Sequence, residues 1–207
     1  VLFRSPSPAV FRAYLDGLEA ARGSKVVSVR FKDKSHGWSH PWFTAQFADG
    51  SVYTEDFNRT GYGRGFGMQL FLRPACARCR YTSTSRPADF TLADYWGLDE
   101  KLALPVERDK GVSMVLVNSA RGQAVFDALS PRFGQVERPL AEAVAGNPRL
   151  ASPLKANPRR AAFFAAFAAL PFAEVEKRFL ALPSLPYRAA AKMLTPAMKE
   201  KIRKLLK

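Results

Sequence analysis

Apolar residues near the start of the chain recur at helical spacing. Val10, Phe11, Tyr14, Leu15 and Leu18 share one face, Ser7-Pro8 supplies an N-cap and a first-turn proline, and Gly23 supplies a stop. The period then falls to two. Val26 to Lys32 alternates, with Val27, Val29 and Phe31 on one side, and Trp42–Phe47 and Ser51–Phe57 follow as further strand-like runs. Asp49-Gly50 between the last two predicts a tight turn, hence an antiparallel hairpin with the first run beside it. Thr60 to Gly67 holds Gly61, Gly63, Gly65 and Gly67; it reads either as a loop able to approach a phosphate or as a flexible hinge before a short apolar helix through Phe71. Residues 73–99 read as loop-rich. Gly111–Val117 reads as a buried strand feeding the same sheet, and Ser119 caps a helix to about Leu129.

Leu140–Ala145 predicts a short helix, and Pro158 opens another through Leu170. Pro171, Pro183 and Pro186 break the next stretch. A last helix, about Tyr187–Leu206, is kinked at Pro196 and places Leu194, Met198, Ile202 and Leu205 in a stripe among lysines and arginines. The fold class is therefore α+β: a mainly antiparallel sheet with flanking helices and a helical C-terminal extension. The expected division is 1–150 for the domain and 151–207 for the basic extension.

Composition narrows the function. The chain has 207 residues of which 47% are hydrophobic, enough for one sizeable core and too apolar for disorder throughout. No apolar run reaches the ~20 residues that span a bilayer, and Ala161–Leu170 suits a buried helix instead. The opening Val1-Leu2-Phe3-Arg4 reads like the interior of a longer protein. The net charge is +14, and residues 151–207 carry 12 Lys/Arg against 3 Glu. That excess leaves one class of function open: a basic module docking on nucleic acid, an anionic membrane or an acidic protein.

The concentrated chemistry is Cys76-Ala-Arg-Cys79. These are the only cysteines, three positions apart, a spacing that suits metal ligation or redox chemistry in a reducing compartment and points to a cytoplasmic protein. A zinc ribbon would need a second such pair. A thioredoxin-like pair would need a strand-to-helix context that Arg73-Pro74 does not offer. An iron–sulfur cluster needs four ligands, two of them from elsewhere. Arg73, Arg78, Arg80 and Arg86 surround the pair, favouring thiolate and offsetting an anionic cluster. Asp89 and Asp94, near Trp96, could position a cofactor ring or serve as turn and cap residues. His36 and His40 flank Trp38 in a loop and suit a surface role.

Several segments occur in order: Ser5-Pro-Ser-Pro8, Phe31-Lys-Asp-Lys34 with Gly37-Trp38, Leu72-Arg-Pro74 leading into Cys76 and Cys79, Arg86-Pro-Ala-Asp89, Asp94-Tyr-Trp-Gly97 and Asp109-Lys-Gly-Val-Ser113. Together, over residues 5 to 150, they resemble the C-terminal domain of the coenzyme F420 hydrogenase/dehydrogenase beta subunit family. The resemblance implies FAD, [4Fe–4S] clusters, and electron transfer with a reduced deazaflavin such as coenzyme F420 as substrate. It implies Cys76 and Cys79 as cluster ligands and Arg73, Asp89, Asp94, Trp96 and Lys110 as cofactor-binding residues. It further implies a redox partner protein or an N-terminal ferredoxin-like segment that completes the cluster. Two departures stand out: Leu2-Phe3-Arg4 where the family looks to carry Cys-His-Gly, and Ala93 where glycine is expected.

Overall fold

A computed structural model describes residues 5–98, 104, 107–182 and 198. Helix α1 (Pro8–Arg22) starts where the proline suits the first turn, although the Ser7 side chain makes no capping bond. It closes on Gly23 at φ 70°, whose N–H donates to the Glu19 carbonyl at 2.8 Å. Val10, Tyr14 and Leu15 are buried, as the helical period predicts. Glu19 is buried too. Its carboxylate accepts from Arg12 (2.7 Å), Lys25 (2.7 Å) and the Val26 amide (3.2 Å), which ties the end of α1 to the first strand.

Strands β1 (Val26–Asp33), β2 (Trp42–Phe47) and β3 (Val52–Asp56) form an antiparallel sheet in that order. The predicted hairpin is present, turning at Gly50 with φ 82° while Asp49 accepts from the Ser51 amide at 2.9 Å. β2 sends Phe43, Ala45 and Phe47 into the core. The predicted single face on β1 does not form. Register shifts near both of its ends and a left-handed Lys32 (φ 56°) reset the alternation, leaving Val27 64% exposed and Val26 and Val29 against the core.

The glycine-rich stretch is neither a phosphate loop nor a hinge but a helix, α2 (Gly61–Gly67), capped by Thr60, whose Oγ1 accepts from the Gly63 amide at 2.9 Å. Two of its glycines, Gly63 and Gly65, are needed for close packing. A Cβ on Gly63 would lie 1.7 Å from the Phe57 carbonyl oxygen, and one on Gly65 2.2 Å from the Phe71 ring.

The loop-rich region holds a one-turn helix, α3 (Pro74–Ala77), and a strand the pattern did not predict, β4 (Phe90–Asp94). β4 pairs antiparallel with β5 (Ser113–Val117) in a separate two-stranded sheet. β5 thus does not feed the first sheet, and of its residues only Met114 is buried. Helix α4 (Ala120–Leu129) starts at Ser119, whose Oγ accepts from the Gly122 amide at 3.0 Å. Helices α5 (Leu140–Gly146), α6 (Arg160–Ala169) and α7 (Phe172–Phe179) follow; α7 begins directly after Pro171, so that proline opens a helix.

The described residues form two cores. The larger joins α1, the first sheet and α2 to α6 and α7 through Phe163, Val175, Phe179 and Leu180. Each buried phenylalanine contributes ~1.5–3 kcal/mol, so α6 and α7 are anchored from beneath. The smaller core sets Met114 of β5 against Ala143 and Leu150. The architecture is α+β with antiparallel strands. Of the predicted last helix only Met198 is described, helical and 48% exposed; the rest lies outside the described residues.

Candidate functional site

The cysteine loop is held by the first described residues. Pro6 bridges Leu72 antiparallel, Ser7 N–H donates to the Phe71 carbonyl (3.0 Å), and Arg73 N–H donates to the Ser5 carbonyl (2.8 Å). This pairing brings the Ser5 amide to the sulfur of Cys76, to which it donates at 3.3 Å. Pro74 starts α3, and Cys76 N–H donates to the Arg73 carbonyl at 3.0 Å. Cys79 lies just past the turn, its carbonyl accepting from Thr82 Oγ1 at 2.8 Å. Both thiols are free and partly exposed.

Soft thiols, an amide aimed at one sulfur and nearby arginines form the donor set that an iron–sulfur cluster uses. The fit is partial. Among the described residues no group of three or more His, Cys, Asp or Glu could hold a metal, so a cluster would find two thiols here and need further ligands. Arg73, Arg78 and Arg80 are exposed. Arg86 donates Nε–H to the Ser83 carbonyl at 2.8 Å, while its Nη2 is buried without a hydrogen-bond partner.

A second constellation lies where the two sheets meet. The β1–β2 loop reaches the 3-10 turn Arg108–Lys110. Trp38 N–H donates to the Asp109 carbonyl at 2.6 Å, and the Asp109 carboxylate accepts from the Ser39 amide (3.2 Å) and hydroxyl (2.6 Å). These bonds, the hydroxyl's first, hold the Asp109 carboxyl below its ordinary range. Ser39 Oγ also lies 2.9 Å from His40 Nδ1. The Trp38 and Trp96 rings are 4.5 Å apart at 45°. Gly111, at φ 90°, lies beneath Trp38, where a Cβ would meet the indole at 2.9 Å. Trp38, Tyr95, Trp96, Arg108, Asp109 and Val112 are among the residues lining a cleft of about 300 Å³.

The predicted cofactor residues do not all converge here. Trp96, 46% exposed, is in the cleft. Lys110 adjoins it and pairs with Glu107 at 3.3 Å. Asp94, exposed, ends β4 next to Tyr95. Asp89 precedes the other end of β4, about 17 Å from Asp94 at ~3.3 Å per residue, and accepts from Ser119 Oγ at 2.5 Å beside the start of α4. The two carboxylates therefore do not share one ring, and Asp89 sits among helix-start contacts. Trp38, Ser39 and Asp109 line the cleft, and pattern reasoning did not single them out as candidates. Their only signal was the ordered Gly37-Trp38 and Asp109-Lys-Gly segments.

A third feature has no sequence signal. A cleft of about 700 Å³ opens between α1, β3, α2 and α7, lined in part by Tyr14, Tyr53, Arg59, Arg64 and Glu176. Burial pushes the Glu176 carboxyl above its ordinary range, countered by the Arg64 charge. Burial pushes the neighbouring Tyr62 phenol up to about 12.

Residues 3–137 match the family described as the C terminus of the beta subunit of coenzyme F420 hydrogenase/dehydrogenase. The chain belongs to this family. No curated protein and no solved structure matches it. The F420 beta-subunit match takes in the cysteine loop, both sheets, the tryptophan cleft and α4, and ends before α5. Its members are oxidoreductase subunits, and a beta subunit works within a larger assembly. Glu176 and the helices that complete the main core lie past the matched span. No helix among the described residues is long and apolar enough to cross a membrane.

Proposed function

We propose that this chain is part of an iron–sulfur flavoprotein oxidoreductase subunit, passing electrons between a reduced deazaflavin such as coenzyme F420 and a [4Fe–4S] cluster. The observation that carries the reading is the Ser5 amide directed at the Cys76 sulfur, within a loop that the F420 beta-subunit family match covers. Cys76 and Cys79 would supply two thiolates, with the other ligands from a preceding ferredoxin-like segment or a redox partner protein. FAD in the tryptophan cleft would supply exchange between hydride and single electrons, and the cluster a single-electron acceptor.

The chain's own groups have definite roles in this reading. The Ser5 N–H orients one sulfur and withdraws charge from it. Arg73, Arg78 and Arg80, exposed around the pair, would offset the negative charge of an anionic cluster. Trp38 and Trp96 present ring faces, and Asp109 fixes the loop that carries Trp38. Asp94 and Lys110 are sequence neighbours of the cleft-lining Tyr95 and Asp109 and would place one group of each charge near a bound ring. Asp89 acts from further off, by holding β4 against α4. Residues 1–150 would form the redox domain, with α6 and α7 of the basic stretch 151–207 packed into its main core. A cytoplasmic setting suits two free thiols.

Anaerobic purification of the full-length protein with its partner subunits tests this. Iron, acid-labile sulfide and flavin in fixed proportion to protein support it; a colourless, iron-free and flavin-free protein contradicts it. Zinc in place of iron would make the pair a structural zinc half-site. A second reading draws on the basic excess after residue 150: a module docking on nucleic acid or an anionic membrane. It requires salt-dependent binding that is lost on deleting residues 187–207.

A further inference from the structure

From Phe57 to Ala88 the chain carries six arginines and no lysine, aspartate or glutamate. Outside the run four arginines find carboxylates. Arg12 pairs with Asp16 and Glu19, Arg30 with Asp33, Arg121 with Asp89 and Arg138 with Glu142. Within the run, Arg59 reaches Glu55 at 3.8 Å, and Arg64 donates Nε–H to the Leu180 carbonyl. The three that flank the thiols differ. Arg73, Arg78 and Arg80 are exposed, and none makes an ion pair with a carboxylate of the described residues. Arg160 adds a fourth cation at the base of the loop, where its Nε–H donates to the Leu72 carbonyl at 2.9 Å. Beside them Tyr81 is 56% exposed, with the Arg80 guanidinium 5.7 Å from its ring centre.

An ordinary solvated face mixes signs, because like charges repel and interspersed acids relieve the repulsion. Here no acid interrupts the sequence from Phe57 to Ala88, around two half-exposed thiols. Arginine in place of lysine also matters: its planar fork engages carboxylates two bonds at a time. Arginine and tyrosine are the residues that concentrate binding energy at protein interfaces.

We propose that the face from Arg73 to Tyr81 docks an acidic protein, whose carboxylates engage Arg73, Arg78 and Arg80 around the phenol of Tyr81. That this partner exchanges electrons through Cys76 and Cys79 rests on the iron–sulfur reading; the docking itself does not. A nucleic acid would be gripped by a longer stripe of mixed lysine and arginine that tracks phosphates. Such a stripe fits residues 187–207 by composition, and this face does not have it.

The test is binding of fluorescent poly-L-glutamate to the full-length protein across a salt series, with a DNA duplex and phosphatidylglycerol vesicles as competing probes. The doubly charge-reversed variant Arg78→Glu/Arg80→Glu should bind poly-glutamate on the order of tenfold more weakly, with its circular dichroism unchanged. Deleting 187–207 should leave most of that binding in place. Poly-glutamate affinity indifferent to the reversal overturns the proposal. So does tighter binding of DNA or vesicles that the same reversal abolishes. Iron content of the same samples is read separately, so a failed cluster reading and a failed docking face give different results.

Discussion

The amide of Ser5 donates to the sulfur of Cys76 across 3.3 Å, joining residues 71 apart in sequence. A hydrogen bond to a ligand sulfur lowers its negative charge and raises the potential of the metal it binds. Ser5→Pro removes the donor and should leave iron bound while moving the midpoint potential more negative. Ser5→Ala keeps the amide and should leave the midpoint in place. Potentiometric titration distinguishes them, and identical midpoints in all three proteins would remove the bond's role.

Glu19 should contribute to acid stability. Hydrogen bonds from Lys25, then Arg12, lower its carboxyl to about 2. A carboxyl depressed in the folded state stabilises the fold above its unfolded value, and the contribution is lost as pH falls towards about 2. Urea unfolding between the ordinary glutamate range and that pH should show this loss. In Glu19→Gln the slope should flatten, and stability at neutral pH should drop because three donors lose their charged acceptor.

Glu176 works in the opposite direction. Burial raises its carboxyl, so the folded state holds the proton more tightly than the unfolded chain. Its contribution is fully present below the ordinary glutamate range and fades as pH rises through the raised value. Glu176→Gln should therefore be more stable than wild type at neutral pH and equal to it in acid. A variant less stable at neutral pH would show that the carboxylate is matched by a partner.

How much of this was legible in the chain depends on range. The α1 stripe, the Asp49-Gly50 hairpin and the Ser119 cap are local signals, and each element formed where the signal stood. The β1 bulge was not legible, because nothing in Val26–Asp33 marks where register slips against β2. β4 was missed because Phe90-Thr-Leu-Ala-Asp94 is short and gains its order from β5, 19 or more residues later. Helix α2 opposes its own propensity, since glycine disfavours helices and only packing on Phe57, Phe71 and Glu176 explains it. The cysteine pair was legible as chemistry. Its amide donor and the Trp38–Trp96 contact were not, because each joins segments more than fifty residues apart.

That packing makes α2 a sharp test. Gly63→Ala drives a Cβ into the Phe57 carbonyl and should cost about 3 kcal/mol, read as a drop in thermal midpoint. Gly67→Ala, with nothing within 4 Å of its Cβ, should be neutral or slightly stabilising. Equal effects at both positions would mean that the close approach at Gly63 is absent.

The central claim is that Cys76 and Cys79 ligate an iron–sulfur cluster. Low-temperature electron paramagnetic resonance of the anaerobically purified, dithionite-reduced full-length protein measures it most directly, alongside Cys76→Ser and Cys79→Ser. The account predicts a reduced-cluster signal in the wild type that is lost or shifted in g-value in both variants, with a matching fall in iron. A wild-type signal unchanged in both variants, or no signal with zinc bound at the pair, would contradict it.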